Sequence, residues 1–421
     1  MDTLLQRWGI SLVNGKIKIA DCRRRYKCLQ RKKTGKYELG YNRPMSVPEP
    51  SQPITKVDGF KRLINSLSHQ PIIAVDTESN SLFAYREQVC LIQFSTPEAD
   101  YLVDPLALED LSPLGSIFAD PHIRKTFHAA EYDLLCLKRD FGFSFANLFD
   151  TMLAARILGR KEVGLGSILE AEFNLQVDKR HQRANWGQRP LPVYLLDYAR
   201  QDTHYLIPLC ERFERQLKEK KLLALAQEDF QRLCQVDAHP DNGKTACWRV
   251  NGVHHLSPQQ AAVLQELCKY RDEVARQHNR PLFKVISDNT LFAIASDCPA
   301  TEEELKTLPG MTSHQVKRHG KALLQAVRSG LKGDPIRPPR NIRPDDSFLA
   351  RVEALKQWRK LKAKELKVES DIILPRDLLH QLASHNPRGP ETLAECLVEV
   401  PWRREKYGEE ILAVLRKVKG K

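Results

Sequence analysis

The C-terminal half of the chain contains an internal repeat, which constrains the fold more than any other feature of the sequence. A shift of 88 residues without a gap aligns Leu267 with Leu355. The same shift also aligns Tyr270 with Trp358, Arg271 with Arg359, Ala275 with Ala363, Val285 with Ile373, Leu291 with Leu379, Pro299 with Pro387, Leu305 with Leu393, Gly320 with Gly408, and Leu324 with Leu412. The apolar members recur at helical spacing. The repeat therefore predicts two copies of a small all-helical domain, at residues 255–330 and 346–421.

The remaining segments complete the predicted organisation of a chain of 421 residues, a length that suggests two to four domains. Residues 331–345 form a Pro-rich stretch, which predicts a stiff, extended linker. A polar, turn-rich stretch at 237–244 predicts a boundary before the helical copies. A mixed α/β domain is expected over residues 54–236. Residues 1–50 contain two basic runs and end in prolines, which predicts a basic, disordered extension.

Three apolar stretches near the start of the 54–236 domain predict β-strands. They are Pro71–Val75, Val89–Phe94 and Ala99–Val103. Their short separations favour an antiparallel meander. Helical periodicity begins near Ala129, and Asp150 is expected to cap a helix that follows it.

Acidic residues follow these apolar stretches at positions suited to chemistry. Asp76 and Glu78 lie at the end of the first apolar strand and share one face of it, because alternate strand residues point to the same side. Asp133 lies on a predicted helix. Tyr198 and Asp202 are four residues apart, which predicts one shared helix face. Clustered carboxylates repel each other unless a cation lies between them, and a divalent metal ion is the usual partner.

Charge is distributed unevenly along the chain. Residues 1–50 hold 12 Lys and Arg against 4 Asp and Glu, residues 51–236 hold 22 against 25, and residues 237–421 hold 32 against 24. An acidic centre between basic ends suits a carboxylate-rich catalytic site with appendages that hold a polyanion. No apolar run approaches the roughly 18 residues of a membrane span, so we expect no membrane association and a cytoplasmic protein.

The ten cysteines are scattered, and no Cys-x-x-Cys motif occurs. The sequence therefore predicts buried, reduced thiols rather than a zinc site or a disulfide framework.

Taken together, the acidic motifs resemble those of a known enzyme group. Asp76-x-Glu78, then Asp133, then Tyr198-x-x-x-Asp202 follow the order and spacing of the DEDD exonucleases, in the subgroup with tyrosine in the third motif. The stretch from 178 to 191, DKRHQRANWGQRPL, is similar to the segment that ribonuclease D proteins carry before that motif. The helical copies resemble the HRDC domains that follow it. The resemblance covers residues 54–421 and implies a ribonuclease H-like exonuclease domain followed by two HRDC-like domains.

The resemblance also implies a site that holds two divalent metal ions, Mg²⁺ or Mn²⁺. Asp76 would bridge both ions, Glu78 and Asp202 would complete the site that activates water, and Asp133 would support the leaving-group side. Tyr198 would orient or deprotonate the nucleophilic water. Two such ions neutralise the charge that develops during phosphodiester hydrolysis.

The function implied is 3′-to-5′ exoribonuclease action on RNA with a free 3′ end, releasing nucleoside 5′-monophosphates, with precursor tRNA as substrate. Two alternatives are a 3′-to-5′ DNA exonuclease and a non-catalytic RNA-binding protein. A second RNA contact is expected on the helical stripe formed by Lys356, Lys360, Lys364 and Lys367, for which a solvated face is the alternative.

Overall fold

The computed structural model describes residues 52–177, 180–237, 247–338 and 344–418, together with the backbone of two short strands near the N-terminus. These strands, β1 (Ile10–Val13) and β2 (Lys16–Ile19), pair in antiparallel orientation. The remainder of the extension predicted over residues 1–50 lies outside the described residues, as does most of the boundary predicted at 237–244.

A five-stranded mixed sheet forms the centre of the N-terminal domain. Its strands are β3 (Ile72–Ser79), β4 (Val89–Ser95), β5 (Asp100–Val103), β6 (Arg124–Phe127) and β7 (Leu148–Asp150). The order across the sheet is β5-β4-β3-β6-β7, with β3, β4 and β5 antiparallel and with β6 and β7 parallel to β3. The predicted meander is confirmed. The first strand continues four residues beyond the predicted end at Val75, and β7 was not predicted.

Eight helices cover the two faces of this sheet. They are α1 (Val57–Ser68), α2 (Pro113–Ala119), α3 (Glu131–Phe141), α4 (Thr151–Ile157), α5 (Leu165–Phe173), α6 (Val193–His204), α7 (Leu206–Glu219) and α8 (Leu223–Cys234). Apolar residues of α1, α2 and α3 share one buried core with Val75 of β3. Residues of α6 form a second core with Leu91 and Leu102. The predicted cap is confirmed, because the Asp150 carboxylate accepts a hydrogen bond from the backbone N–H of Leu153 at 2.9 Å.

The C-terminal region contains the two helical copies. The first comprises α9 (Pro258–Gln277), α10 (Leu282–Val285), α11 (Asp288–Asp297), α12 (Glu302–Thr307) and α13 (Ser313–Lys332). The second comprises α14 (Asp346–Leu366), α15 (Ser370–Ile373), α16 (Arg376–His385), α17 (Pro390–Cys396) and α18 (Pro401–Lys417). Each copy has its own apolar core, as the repeat predicts. None of the helices in the described part of the chain is long and apolar enough to cross a membrane.

The second copy packs on the N-terminal domain through a buried ion cluster. The Arg403 side chain is fully buried and lies 3.0 Å from Glu228 and 2.9 Å from Asp229, both on α8. The backbone N–H of Trp402 also donates a hydrogen bond to the Glu228 carboxylate. Removing Arg403 would leave both carboxylates buried without their cation, so this contact fixes the second copy against α8.

The first copy contacts a different part of the N-terminal domain, the loop at 80–88 between β3 and β4. The Tyr85 hydroxyl donates a hydrogen bond to Asp272 at 2.8 Å, and its backbone N–H donates to Asn279 at 3.0 Å. The Lys284 ammonium lies 4.2 Å from the centre of the Phe83 ring. These contacts are more exposed than those of the second copy, and they attach the first copy to the loop that follows Asp76 and Glu78 in the chain.

One prediction about the cysteines is wrong. Cys247 and Cys268 form a disulfide, with Cα atoms 5.9 Å apart. The pair is 21 residues apart in the chain and meets because the short 3₁₀ turn at Cys247–Arg249 packs beside α9. Spacing rules built on short motifs cannot detect such a pair.

Candidate active site

Strand β3 is the central strand of the sheet, and it places two carboxylates near its C-terminal end. Its apolar first half is buried, and Asp76 and Glu78 project from the same side of its second half. In the antiparallel pairing with β4, Asp76 lies opposite Gln93 and Glu78 lies opposite Leu91. The register shifts directly after Glu78, so the regular ladder ends there. Both carboxylates are half-buried, as expected of side chains at a strand end.

Helix α6 brings the third acidic residue to the same side. The helix packs on the sheet through buried residues that include Leu195 and Ala199. Tyr198 and Asp202 lie one turn apart on the helix, and they are close enough that the Asp202 charge, after burial, raises the pKa of the Tyr198 phenol. The predicted shared face is therefore present in the structure.

Asp76, Glu78 and Asp202 form one carboxylate cluster. One oxygen of each residue lies within 4.8 Å of the corresponding oxygens of the other two. All three side chains are half-buried. Oxygen ligands at these separations suit a hard divalent cation such as Mg²⁺ or Mn²⁺.

Asp133 lies beside this cluster rather than within it. It is buried in the first turn of α3, and its carboxylate accepts a hydrogen bond from the Thr77 hydroxyl. Thr77 stands between Asp76 and Glu78 in the chain, and alternation along the strand turns its side chain to the opposite face. The hydrogen bond therefore connects Asp133 to the strand that carries the cluster.

Burial raises the pKa values of all four carboxylates, and neighbouring carboxylate charges raise those of Glu78, Asp133 and Asp202 further. Burial, which penalises the charged form, raises the pKa of Asp76 to about 7. Burial and then the charges of the neighbouring carboxylates raise the pKa of Glu78 well above its usual range, and burial and then Asp76 do the same for Asp133 and Asp202. A divalent cation would remove this repulsion, so the donor set fits the metal site that the sequence predicts.

Tyr198 is held in its protonated form. Burial and the nearby charges of Asp202, Glu78 and Asp76 raise the pKa of this phenol far above its usual value near 10. The ring also packs against the buried Trp186, at 6.1 Å between ring centres. A protonated, packed phenol is suited to orient a neighbouring group through its O–H.

The segment at 180–191 carries Trp186, which packs against the Tyr198 ring. Its Arg189 side chain binds the buried Asp104 carboxylate through two hydrogen bonds, of 2.6 and 2.7 Å, and donates a third to the Cys90 carbonyl. A paired guanidinium of this kind fixes both distance and orientation. The segment that carries Trp186 is thereby fastened to β4 and to the residue that follows β5.

Comparison with known proteins gives one consistent result. A family model for 3′-5′ exonuclease domains matches residues 51–218. A model for the HRDC domain matches residues 260–327 and again 348–415, which preserves the offset of the internal repeat.

Proteins similar to this chain include two ribonuclease D enzymes and the catalytic core of RRP6. Ribonuclease D of Pseudomonas paraeruginosa is 29% identical over 352 residues, covering 82% of this chain and 92% of that protein. The crystal structure of Escherichia coli RNase D matches with a TM-score of 0.66 and 26% identity, covering 89% of this chain and 100% of that one. The chain is a 3′-5′ exoribonuclease similar to ribonuclease D. The catalytic core of RRP6 from Trypanosoma brucei matches with a TM-score of 0.59 and 27% identity, covering 69% of this chain and 82% of that one.

Some residues around the site of this exoribonuclease are not evident from the motifs. Thr77, bonded to Asp133, could have been noticed only as the residue between two acids. Gln93 is fully buried opposite Asp76, and its amide has no hydrogen-bond partner among the described residues. Buried polar groups are normally paired, so Gln93 marks a polar environment beside Asp76. A single polar residue in an otherwise apolar strand was the sequence pattern that could have indicated it.

Proposed function

We propose that this exoribonuclease is a two-metal enzyme that removes nucleotides from the 3′ ends of precursor tRNA in the cytoplasm and releases nucleoside 5′-monophosphates. The observation that carries the proposal is the convergence of Asp76, Glu78 and Asp202, with Asp133 bonded to the same strand. Four acids gathered without a basic partner in the cluster are costly unless cations bind there.

The proposed roles follow from position. Asp76, whose charge acts on the other three carboxylates, would be the ligand shared by two Mg²⁺ or Mn²⁺ ions, Glu78 and Asp202 would be further ligands, and Asp133 would support the leaving-group side. The bound ions supply Lewis-acid stabilisation of the phosphoryl charge and lower the pKa of coordinated water. Tyr198 orients the attacking water through its O–H. Cleavage of the bond to the 3′ oxygen of the preceding nucleotide leaves the phosphate on the released one, which gives a 5′-monophosphate.

The substrate must be held against the net negative charge of the catalytic domain, and α13 of the first helical copy offers the surface for this. The helix has 20 residues and no Asp or Glu. Its exposed side carries Lys317, Arg318, Lys321, Arg328 and Lys332. Among the residues that the structure describes, no carboxylate forms an ion pair with any of these five. We name these residues the α13 stripe and propose that they bind RNA phosphates.

The predicted lysine stripe is a second basic surface, with three residues on α14 and Lys367 directly after the helix end. Lys356, Lys360, Lys364 and Lys367 are all exposed. The neighbouring Lys362 is instead paired with Glu365 and Glu410. We expect the α14 stripe to bind RNA more weakly, because acidic residues lie on the same helix.

The proposal of a structured substrate has support from the relatives. The Escherichia coli enzyme is described as an exoribonuclease involved in structured RNA processing. Two helical domains beside one catalytic domain give a structured RNA more surface to contact than a short strand would need.

End-labelled substrates test the proposal. Purified protein is incubated with a precursor tRNA, a matched unstructured RNA and the DNA version of the latter, each with Mg²⁺, with Mn²⁺ or with chelator, and products are resolved by chromatography. We expect stepwise loss from the 3′ end, nucleoside 5′-monophosphates, dependence on metal, and faster trimming of the tRNA extension than of DNA. Equal or faster degradation of DNA would favour a DNA exonuclease, and loss of no nucleotides under any condition would favour a binding protein.

A further inference from the structure

Of the four acids of the site, Asp133 is the one whose position depends on where α3 begins. It lies in the first turn of that helix, three residues after Ala130, the residue that precedes the helix. A shift of the chain before α3 would therefore move the Asp133 carboxylate relative to Asp76 and Glu78. The turn at 128–130, between β6 and α3, thus controls one acid of the proposed metal site.

The backbone of this turn adopts a conformation that its sequence does not favour. Ala129 has a φ of 63°, in the left-handed region, where the Cβ of any residue other than glycine is crowded. Asparagine and aspartate enter this region more readily, because a short polar side chain can form local hydrogen bonds, which alanine cannot do. Contacts from outside the turn must therefore hold Ala129 in this conformation.

Asp150 supplies such contacts. It is the last residue of β7, is 1% exposed, and lies beside Phe127 in the parallel pairing of β6 with β7. One carboxylate oxygen accepts a hydrogen bond from the backbone N–H of Ala130 at 2.6 Å, and the other accepts from Ala129 at 3.3 Å. The latter oxygen also accepts from Leu153 at 2.9 Å, which caps α4. A single carboxylate therefore joins the start of α3 to the start of α4.

The residue after Asp150 holds the same turn. The Thr151 side chain is fully buried, its hydroxyl donates a hydrogen bond to the Phe127 carbonyl at 3.0 Å, and its oxygen lies 2.9 Å from Nδ1 of His128. Asp150 and Thr151 together contact every residue from Phe127 to Ala130. The neighbouring strand end thus fixes the turn along its whole length.

Capping of α4 alone does not account for a carboxylate at position 150. Asparagine and serine cap a helix about as well as aspartate does, and neither adds a negative charge. Asp150 adds one beside the site, because burial, then Asp76 and then Asp150 raise the pKa of Asp133. This repulsion is unfavourable, but only a carboxylate offers two acceptor oxygens, one for each helix start.

We propose that Asp150 is a positioning residue for hydrolysis, which holds the 128–130 turn in its left-handed form and thereby sets the place of the Asp133 carboxylate in the metal site. Asp150 acts through Asp133 rather than on the substrate. The proposal rests on the proposed two-metal function and adds a residue on which assembly of the site depends. Residues that orient metal ligands from outside commonly contribute about tenfold to a hundredfold to metal affinity or activity.

Titration with Mn²⁺ tests the proposal without RNA or hydrolysis. The free ion is measured by electron paramagnetic resonance as the full chain is added. In Asp150→Asn, the amide oxygen can still accept from Leu153 and cap α4, but the NH₂ group cannot accept from Ala130. We expect this variant to bind Mn²⁺ about tenfold or more weakly than the parent does. Amide hydrogen exchange over residues 128–134 should also be faster.

A second substitution separates positioning from general stability. Ala129→Gly removes the Cβ that is crowded in the left-handed region, so in the Asp150→Asn background it should restore Mn²⁺ affinity by about threefold or more. Lys221→Gly is the matched control, because Lys221 also has a left-handed φ, of 56°, but lies at an exposed position between α7 and α8. In the same background it should leave the Mn²⁺ affinity unchanged.

Thr151→Val keeps the proposal open to refutation if Asp150→Asn does not fold. It preserves the shape of the side chain, removes the hydrogen bond to the Phe127 carbonyl, and should weaken Mn²⁺ binding in the same direction but less. The role of Asp150 is overturned if folded Asp150→Asn binds Mn²⁺ as the parent does, or if Lys221→Gly restores affinity as much as Ala129→Gly does. If Asp150→Asn does not fold, parent affinity in Thr151→Val overturns the role. A parent chain that binds no Mn²⁺ would overturn the metal site itself, and this role with it.

Discussion

In the first helical copy the Arg271 guanidinium donates a hydrogen bond to the Ile286 carbonyl, and in the second Arg359 donates to the carbonyl of Leu374. Arg359 lies 88 residues after Arg271, and Leu374 lies 88 residues after Ile286. The same is true of the helix ends at Cys298 and Asn386, both left-handed with φ of 48°. The two copies therefore retain the same internal contacts although most of their surface residues differ.

One position of the repeat accounts for the buried contact between the second copy and the catalytic domain. Gln315 in the first copy donates a hydrogen bond to the Val285 carbonyl at 3.3 Å, and Arg403 at the equivalent position donates to Ile373 at 3.2 Å. The longer arginine keeps this internal contact and also reaches the acids on α8. One substitution within a conserved framework thus turns an internal contact into a contact between domains.

The exposed faces of the last helices differ as well. Lys317 and Lys321 of α13 correspond by the offset to Glu405 and Glu409 of α18. The second copy therefore has acids in place of two of the five basic residues of the α13 stripe, on the helix that contacts the catalytic domain. The comparison indicates that one copy is fixed to the enzyme while the other remains available to RNA.

The largest expected effect comes from making the second copy resemble the first at this position. Arg403→Gln leaves Glu228 and Asp229 buried without their cation, which should cost about 3–5 kcal/mol of unfolding free energy. Urea unfolding followed by tryptophan fluorescence measures it. Arg404→Gln, at an exposed neighbour, is the control and should change stability by less than about 0.5 kcal/mol. A similar small effect for Arg403→Gln would show that the second copy is not fixed by this cluster.

The next effect separates chemistry from RNA binding. Asp76→Asn removes charge from the residue proposed to bridge both metals and should lower the hydrolysis rate by at least about a hundredfold. RNA affinity measured with chelator should stay within about twofold, since the α13 stripe is unchanged. Near-normal hydrolysis with Mg²⁺ would exclude Asp76 as the bridging ligand, and a large loss of affinity would place part of the binding surface in the catalytic domain.

A smaller effect follows from giving the first copy the charges of the second. Lys317→Glu with Lys321→Glu should weaken RNA binding about tenfold at moderate salt and make log K against log salt shallower by about 1.4, or 0.7 per phosphate contact. Affinity titrations at several salt concentrations provide both values. The reciprocal variant, Glu405→Lys with Glu409→Lys, is the control and should not weaken binding. If the first variant retained the parent affinity and salt dependence, the RNA-binding role of α13 would be wrong.

Much of this arrangement could be predicted from the sequence, because it depends on local periodicity. The repeat, the meander and the shared face of Tyr198 and Asp202 all follow from spacing. Contacts between distant segments could not be predicted in this way. Nothing near Arg403 indicates that its partners lie on α8, and the cysteine pair at 247 and 268 was missed for the same reason.

The strand ends show a second limit of sequence reasoning. The apolar pattern of β3 ends at Val75, but the strand continues to Ser79 because its backbone still pairs with β4. Side-chain burial defines the pattern, whereas hydrogen bonding defines the strand. The short β7 was missed because three residues contain too little periodicity to detect.

The smallest expected effect is on the pH dependence of the free energy of unfolding, to which the buried carboxylate cluster should contribute and the exposed α13 stripe should not. Burial raises the pKa of Asp76 to about 7, above the value of about 3.9 for an unfolded chain, so the folded state holds this proton more tightly. In chelator, the free energy of unfolding should therefore fall as pH rises from about 4 through about 7. The asparagine of Asp76→Asn cannot ionise. The free energy of unfolding lost between about pH 5 and pH 8 should therefore be smaller in this variant than in the parent, by on the order of 1 kcal/mol. Urea unfolding at both pH values tests this, with the Lys317→Glu, Lys321→Glu variant as a control that should follow the parent. An unchanged pH dependence in Asp76→Asn would mean that the cluster accommodates its charges without a cation, and the argument for a metal site from mutual repulsion would fail.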